Sequence, residues 1–223
     1  MALSMQYLIV RTKDHNEVVN SLERFLQRYE IDIEPNEETL YEWEPDPEDR
    51  FYCFAPLNGW QRFIIPQRLD LDPEEFFDAL SYLSQDLETV VISFTLQESE
   101  LWSYMLFQDG ALHDAYINDP EEVLATMPPE LAELVESDLT EFYGEVYLVS
   151  KLFGVPAETI EPYLVPLTDE EREMDVEIYA HEDDEHPLRD AHVLFDFTRR
   201  LGVPIPQPYG PRREPALGEY LLL

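Results

Sequence analysis

Lysine is nearly missing. Only Lys13 and Lys151 are lysines among 14 basic side chains, and the rest are arginines. Against them stand 49 Asp and Glu, a formal net charge of −35 in 223 residues. From Leu69 to Ser150 there is no Lys or Arg at all. Such a chain has little to offer DNA, RNA or an anionic membrane directly, because phosphate contacts need cations. Self-repulsion on this scale also costs stability, so the charge calls for a reason. Two reasons stay open: a partner of opposite sign, or a salt-rich cytoplasm.

Other scarcities exclude more. Cys53 is the single cysteine, which rules out an internal disulfide and a cysteine-based zinc site. Seven glycines leave little material for a phosphate-cradling loop, and no Walker A, Gly-x-Gly-x-x-Gly, Gly-x-Ser-x-Gly or Cys-x-x-Cys pattern occurs. No apolar run nears the ~18 residues of a membrane span. Residues 1–5 lack the basic and apolar blocks of a signal peptide, so a cytoplasmic location is expected.

What remains is ample for a core: 44% hydrophobic and 13% aromatic residues. The pattern predicts an α+β fold, with an antiparallel sheet covered by helices and a mostly helical C-terminal half. A single domain over 1–223 is expected, with a soft boundary near Asp119 between a mixed part, 1–118, and a helical part, 119–223. The sheet is expected as a hairpin plus a three-strand meander. Residues 50–56 and 60–66 flank Asn58-Gly59, the strongest short hairpin signal. The meander covers 89–96, 102–107 and 111–117, with Asp109-Gly110 at its second turn. A first strand is expected at 6–11 and a helix at 16–29. Another helix starts at Asp72-Pro73-Glu74-Glu75, where Asp caps, Pro opens and Glu closes a capping box. The same signal recurs at Asp119-Pro120-Glu121-Glu122. Helical stripes follow at Leu131, Leu134, Val135 and Leu139, and at Phe142, Val146, Val149 and Phe153. A short piece follows around Ile160, Tyr163 and Leu164, and the last helix is placed at 188–201. Val176–Tyr179 is a candidate short strand, and the final Tyr220-Leu221-Leu222-Leu223 is expected to dock.

The search for chemistry yields little. His181, Asp183, Asp184 and His186 are the candidates for a metal, but none is expected. The two histidines stand at i and i+5, roughly 140° apart on a helix at ~100° per residue, and Pro187 interrupts any helix there. Asp70, Asp72 and Glu74 alternate like calcium ligands, yet Glu75 and Ser81 stand where that loop needs Gly and Glu. Cys53 lies among aromatics and is read as a small buried hydrophobe. No cofactor is expected. Trp102 and Tyr104 share a strand face, which either packs inside or forms an aromatic patch. If exposed, that patch is rimmed by Asp109 and Asp114, with Glu98 and Glu100 in the preceding turn.

The segment 101–110, Leu-Trp-Ser-Tyr-Met-Leu-Phe-Gln-Asp-Gly, with Asp114, resembles a strand–turn–strand of uncharacterised acidic bacterial proteins. The end Leu201-Gly202-Val203-Pro204 with Tyr209-Gly210 is similar to theirs. The resemblance implies no activity and no site.

The charge therefore leads. The first expectation is a non-catalytic acidic interaction protein of the immunity, antitoxin or inhibitor kind. Its partner would be basic: a toxin, a nuclease or a nucleic-acid-binding protein. The alternatives are a DNA mimic, a hydrolase using paired carboxylates, and a domain whose charge serves solubility in salt.

Overall fold

The computed structural model describes every residue except 1–2, 13, 37–41, 68, 70, 121–142, 166–175, 210 and 212. β1 (Met5–Val10) leads to α1 (His15–Leu26), whose first turn is capped by the Asp14 carboxylate accepting from the Asn16 amide at 2.9 Å. β2 (Ile33–Asn36) is short and holds a proline, which suits an edge strand. β3 (Arg50–Leu57) and β4 (Trp60–Ile65) meet at Asn58 and Gly59, with φ of 51° and 85°. Two successive left-handed residues match the turn to the strands' twist.

α2 (Pro73–Asp86) begins at a full capping box. Asp72 accepts from the amides of Glu74 and Glu75 at 3.0 and 2.9 Å, and the Glu75 carboxylate accepts from the Asp72 amide at 3.1 Å. β5 (Val91–Gln97), β6 (Leu101–Gln108) and β7 (Ala111–Ile117) follow as the meander. Among the described residues, three eight-residue helices come next: α3 (Val146–Phe153), α4 (Ala157–Leu164) and α5 (Val193–Arg200). β8 (Gly218–Leu222) closes the chain.

All eight strands form one antiparallel sheet in the order β2-β8-β3-β4-β1-β5-β6-β7. β4 lies between β1 and β3 and opposes both, so β1 and β3 run parallel and α1 lies on the connection between them. In the same way α2 links β4 to β5 across β1. These are two interlocked split β-α-β crossovers. α1 and α2 close the main core against the sheet. Leu22, Phe25, Phe76, Leu80 and Leu83 meet Leu8, Val10, Phe51, Phe63, Val91 and Phe107 there. Each such buried side chain contributes about 1.5–3 kcal/mol.

The described chain groups into two compact units that interleave in sequence. One holds 1–95, 105–113 and 205–223; the other holds 96–104 and 114–204. In the first unit the opposite sheet face is buried too: Tyr7, Ile9, Phe54 and Ile64 are all inaccessible, and Trp43 packs on the rings of Tyr52 and Phe54. In the second unit Trp102, Tyr104, Tyr116, Tyr163 and Phe197 form an aromatic core of their own.

Two features correct the expected fold. The sheet is one eight-stranded antiparallel body rather than a hairpin and a meander. The C-terminal half is not mostly helical: its described part combines three short helices, long irregular stretches and β8. The reason is long-range pairing. Leu222 opposes Ile33 and Tyr220 opposes Phe51, partners that no local turn announces. Val176–Tyr179 is irregular rather than a strand, and the stripe from Leu131 to Leu139 lies outside the described residues. No helix among the described residues is long and apolar enough to cross a membrane.

Candidate functional site

The six residues expected to meet a partner separate in space. Trp102 and Tyr104 are inside, 1% and 2% exposed. The Tyr104 hydroxyl donates to Asp114 at 2.6 Å, and the Glu145 amide donates to the same carboxylate at 2.9 Å. Asp114 is itself buried, and burial pushes its carboxyl above the ordinary range. Gly144 sits against this pair at φ 71°, where a Cβ would lie 2.7 Å from the tyrosine oxygen. Tyr104 and Asp114 therefore anchor the entry to α3. Glu98 and Glu100 are exposed in the turn before β6, and Asp109 is exposed in the turn after it.

The acidic segment 181–190 is organised by two arginines at the end of α5. The Asp184 carboxylate has no exposed surface. It accepts from the Tyr163 hydroxyl at 2.6 Å, the His181 amide at 3.0 Å, Arg199 at 3.1 Å and Arg200 at 2.8 Å. Asp196 gathers the amides of Glu185 and His186 at 3.0 and 2.9 Å and Arg199 at 2.7 Å. Asp183 pairs with Arg200, whose hydrogen bond holds its carboxyl below the usual range. His181 Nε2 lies 2.8 Å from the Thr159 carbonyl. A carbonyl only accepts, so that nitrogen carries a proton and is closed to a metal. Among the described residues no group of three His, Cys, Asp or Glu is placed to hold an ion.

Other arginines are likewise engaged within the fold. Arg24 pairs with Asp86, which also accepts from the Ser21 hydroxyl at 2.6 Å. Ser21 first, and then Arg24, draw the Asp86 carboxyl below its ordinary value. Arg62, 3% exposed, pairs with Glu214, and Arg50 pairs with Asp49 and Glu219. Arg28 stands over the rings of Phe25 and Tyr82. One-to-one pairing of every cation in the chain still leaves an excess of 35 carboxylates.

The first unit also contains an open cleft of about 660 Å³. It is lined by Trp43, Tyr52, Arg50, Pro208, Tyr209 and Arg213, with the carboxylates of Glu42, Glu44 and Glu219. The Trp43 indole donates to the Glu214 carbonyl at 2.8 Å, and the Glu214 carboxylate pairs with Arg62. A bridge between Gln207 and Arg213 closes the loop that presents Tyr209. A second, smaller cleft of about 400 Å³ reaches Cys53, whose thiol burial pushes up to about 12. A thiol so rarely ionised is no nucleophile.

No family model, curated protein or solved structure matches this chain.

The cleft residues carry no local sequence signal. Glu42 and Glu44 lie in an acidic run, Tyr209 in a proline-rich tail. Only the scarcity of cations hints at Arg50 and Arg213, and topology alone joins segments so far apart.

Proposed function

We propose that the chain is a non-catalytic acidic interaction protein that docks exposed carboxylates on a basic protein partner, in the manner of an immunity protein, antitoxin or inhibitor. One observation carries this reading. The described arginines Arg24, Arg50, Arg62, Arg199 and Arg200 are tied to carboxylates of the fold itself, and the exposed cations Arg11, Arg28, Lys151, Arg189 and Arg213 are too few to offset the 49 acidic residues. Such a surface steers a basic partner into encounter and is screened by salt. The exposed acids of the turns, Glu98, Glu100 and Asp109, belong to this field as separate contributors rather than as one patch.

The test is affinity capture from the source cells near 20 mM salt, followed by a salt gradient. The proposal expects a basic protein released by about 0.5 M salt, where the screening length is ~4 Å. Retention of no basic protein, or of one that salt does not release, would overturn it.

A further inference from the structure

The cleft walled by Glu42, Glu44, Tyr209 and Arg213 combines features that the fold does not require. Arg213 makes no side-chain hydrogen bond or ion pair among the described residues, and it lies exposed. Arg189 and Lys151 are also exposed and make no side-chain hydrogen bond or ion pair among the described residues, but Arg213 differs in lining a cleft together with two exposed glutamates. Arg50 adds a second donor. Its Nε and Nη1 bond Asp49 at 2.7 Å and Glu219 at 2.9 Å, while Nη2 has no hydrogen-bond partner among the described residues. Tyr209 is 73% exposed and meets no other ring there.

The local chemistry narrows the ligand. Two guanidinium groups with open N–H donors suit a carboxylate, since arginine offers a planar fork to it. Glu42 and Glu44 suit an ammonium. The exposed Tyr209 ring suits an apolar or aromatic body. A phosphate dianion would meet the glutamates and the field of the whole chain. A simple cation would face Arg50 and Arg213. A zwitterion satisfies both signs and carries no net charge against the field. The volume, about 660 Å³, lies within the range of small-molecule sites.

We infer that this cleft binds a small zwitterion, an α-amino acid with an apolar or aromatic side chain, through Arg213 and Arg50 at its carboxylate and Glu42 and Glu44 at its ammonium. The site stands apart from the docking of a basic protein, and either can fail without the other.

The test is calorimetric titration of the purified chain with the coded α-amino acids, then with N-acetyl and amide derivatives of the best binder. Saturable binding of an apolar or aromatic amino acid is expected, with each blocked derivative at least about tenfold weaker. Arg213→Gln should weaken the free amino acid about tenfold yet leave the amide unchanged, because the amide has already lost the group that Arg213 meets. The double change Glu42→Gln and Glu44→Gln should do the converse, sparing the N-acetyl form. Both sets lie on the surface, so a circular dichroism spectrum equal to wild type is expected for each. Three results would overturn the inference: no amino acid binding tighter than about 10 mM, blocked derivatives binding as well as the free form, or Arg213→Gln without effect.

Discussion

Removing Glu214 tests the ion pair that ties the chain before β8 to Arg62 of β4. Arg62 is 3% exposed and Glu214 32%. The guanidinium pairs with the carboxylate through Nη1 at 3.1 Å and through Nη2. It also donates to the Ala55 carbonyl through Nε at 3.0 Å and Nη2 at 2.8 Å. In Glu214→Ala the cation keeps Ala55 but loses its countercharge. Breaking a fully buried pair costs about 3–5 kcal/mol. Glu214 is one-third open, so water reaches the vacated side and the expected loss is about 2–3 kcal/mol. Arg62→Met leaves instead a carboxylate that water reaches, and the Ala55 carbonyl and the buried Tyr7 hydroxyl without their arginine partner, about 1–3 kcal/mol. The double variant removes both charges, and its loss should fall about 1–2 kcal/mol short of the sum. Urea unfolding followed by tryptophan fluorescence measures all three, and Trp43 reports on the same segment through its bond to the Glu214 carbonyl. A Glu214→Ala loss below about 0.5 kcal/mol, or a cycle additive to within that margin, would refute the reasoning.

Four further outcomes follow from the geometry. Asp114→Asn should cost under about 1 kcal/mol at pH 7 and Asp114→Ala about 2–3, since alanine leaves the Tyr104 hydroxyl and Glu145 amide unsatisfied. Folding raises the Asp114 carboxyl, so its ionisation destabilises above the native value; thermal melts across pH should show the Asn variant gaining on wild type as pH rises through that value and losing the gain as pH falls. Asp184→Ala should cost about 2–4 kcal/mol, because the Tyr163 hydroxyl and the His181 amide lose their acceptor while Arg199 keeps Asp196 and Arg200 keeps Asp183, whereas Asp183→Ala, at a 67% exposed side chain, should stay within about 1 kcal/mol in the same melts. Ser99→Gly should stabilise by about 0.5–1 kcal/mol in denaturant titration, because Glu98 and Ser99 hold φ of 52° and 62° without being glycines. Melting temperature should rise with KCl mainly below about 0.3 M, where screening of self-repulsion is gained, and a climb continuing to molar salt would point to salt adaptation instead.

Local chemistry made parts of this fold readable. Asn58-Gly59 and Asp109-Gly110 mark turns in which both residues are left-handed, and Asp72-Pro73-Glu75 marks the start of α2. Gly154, at φ 69°, ends α3 in the left-handed conformation that a glycine adopts without steric cost. Readability ended where pairing became distant. β8 reads as an apolar tail because its neighbours, β2 and β3, lie far away in sequence. β1 and β4 are buried at every position, so neither shows the alternation of a half-exposed strand. The same burial explains Trp102 and Tyr104: alternation places them on one face but not whether that face is covered. Nothing local in the acidic run at 181–190 announces its pairing with Arg199 and Arg200, which lie on a separate helix.

The most direct test of the docking account is the association rate of the captured basic partner as ionic strength is varied. Between about 20 and 200 mM salt the account predicts a fall of roughly 10- to 100-fold, with little change in dissociation. An association rate flat across that range would contradict it.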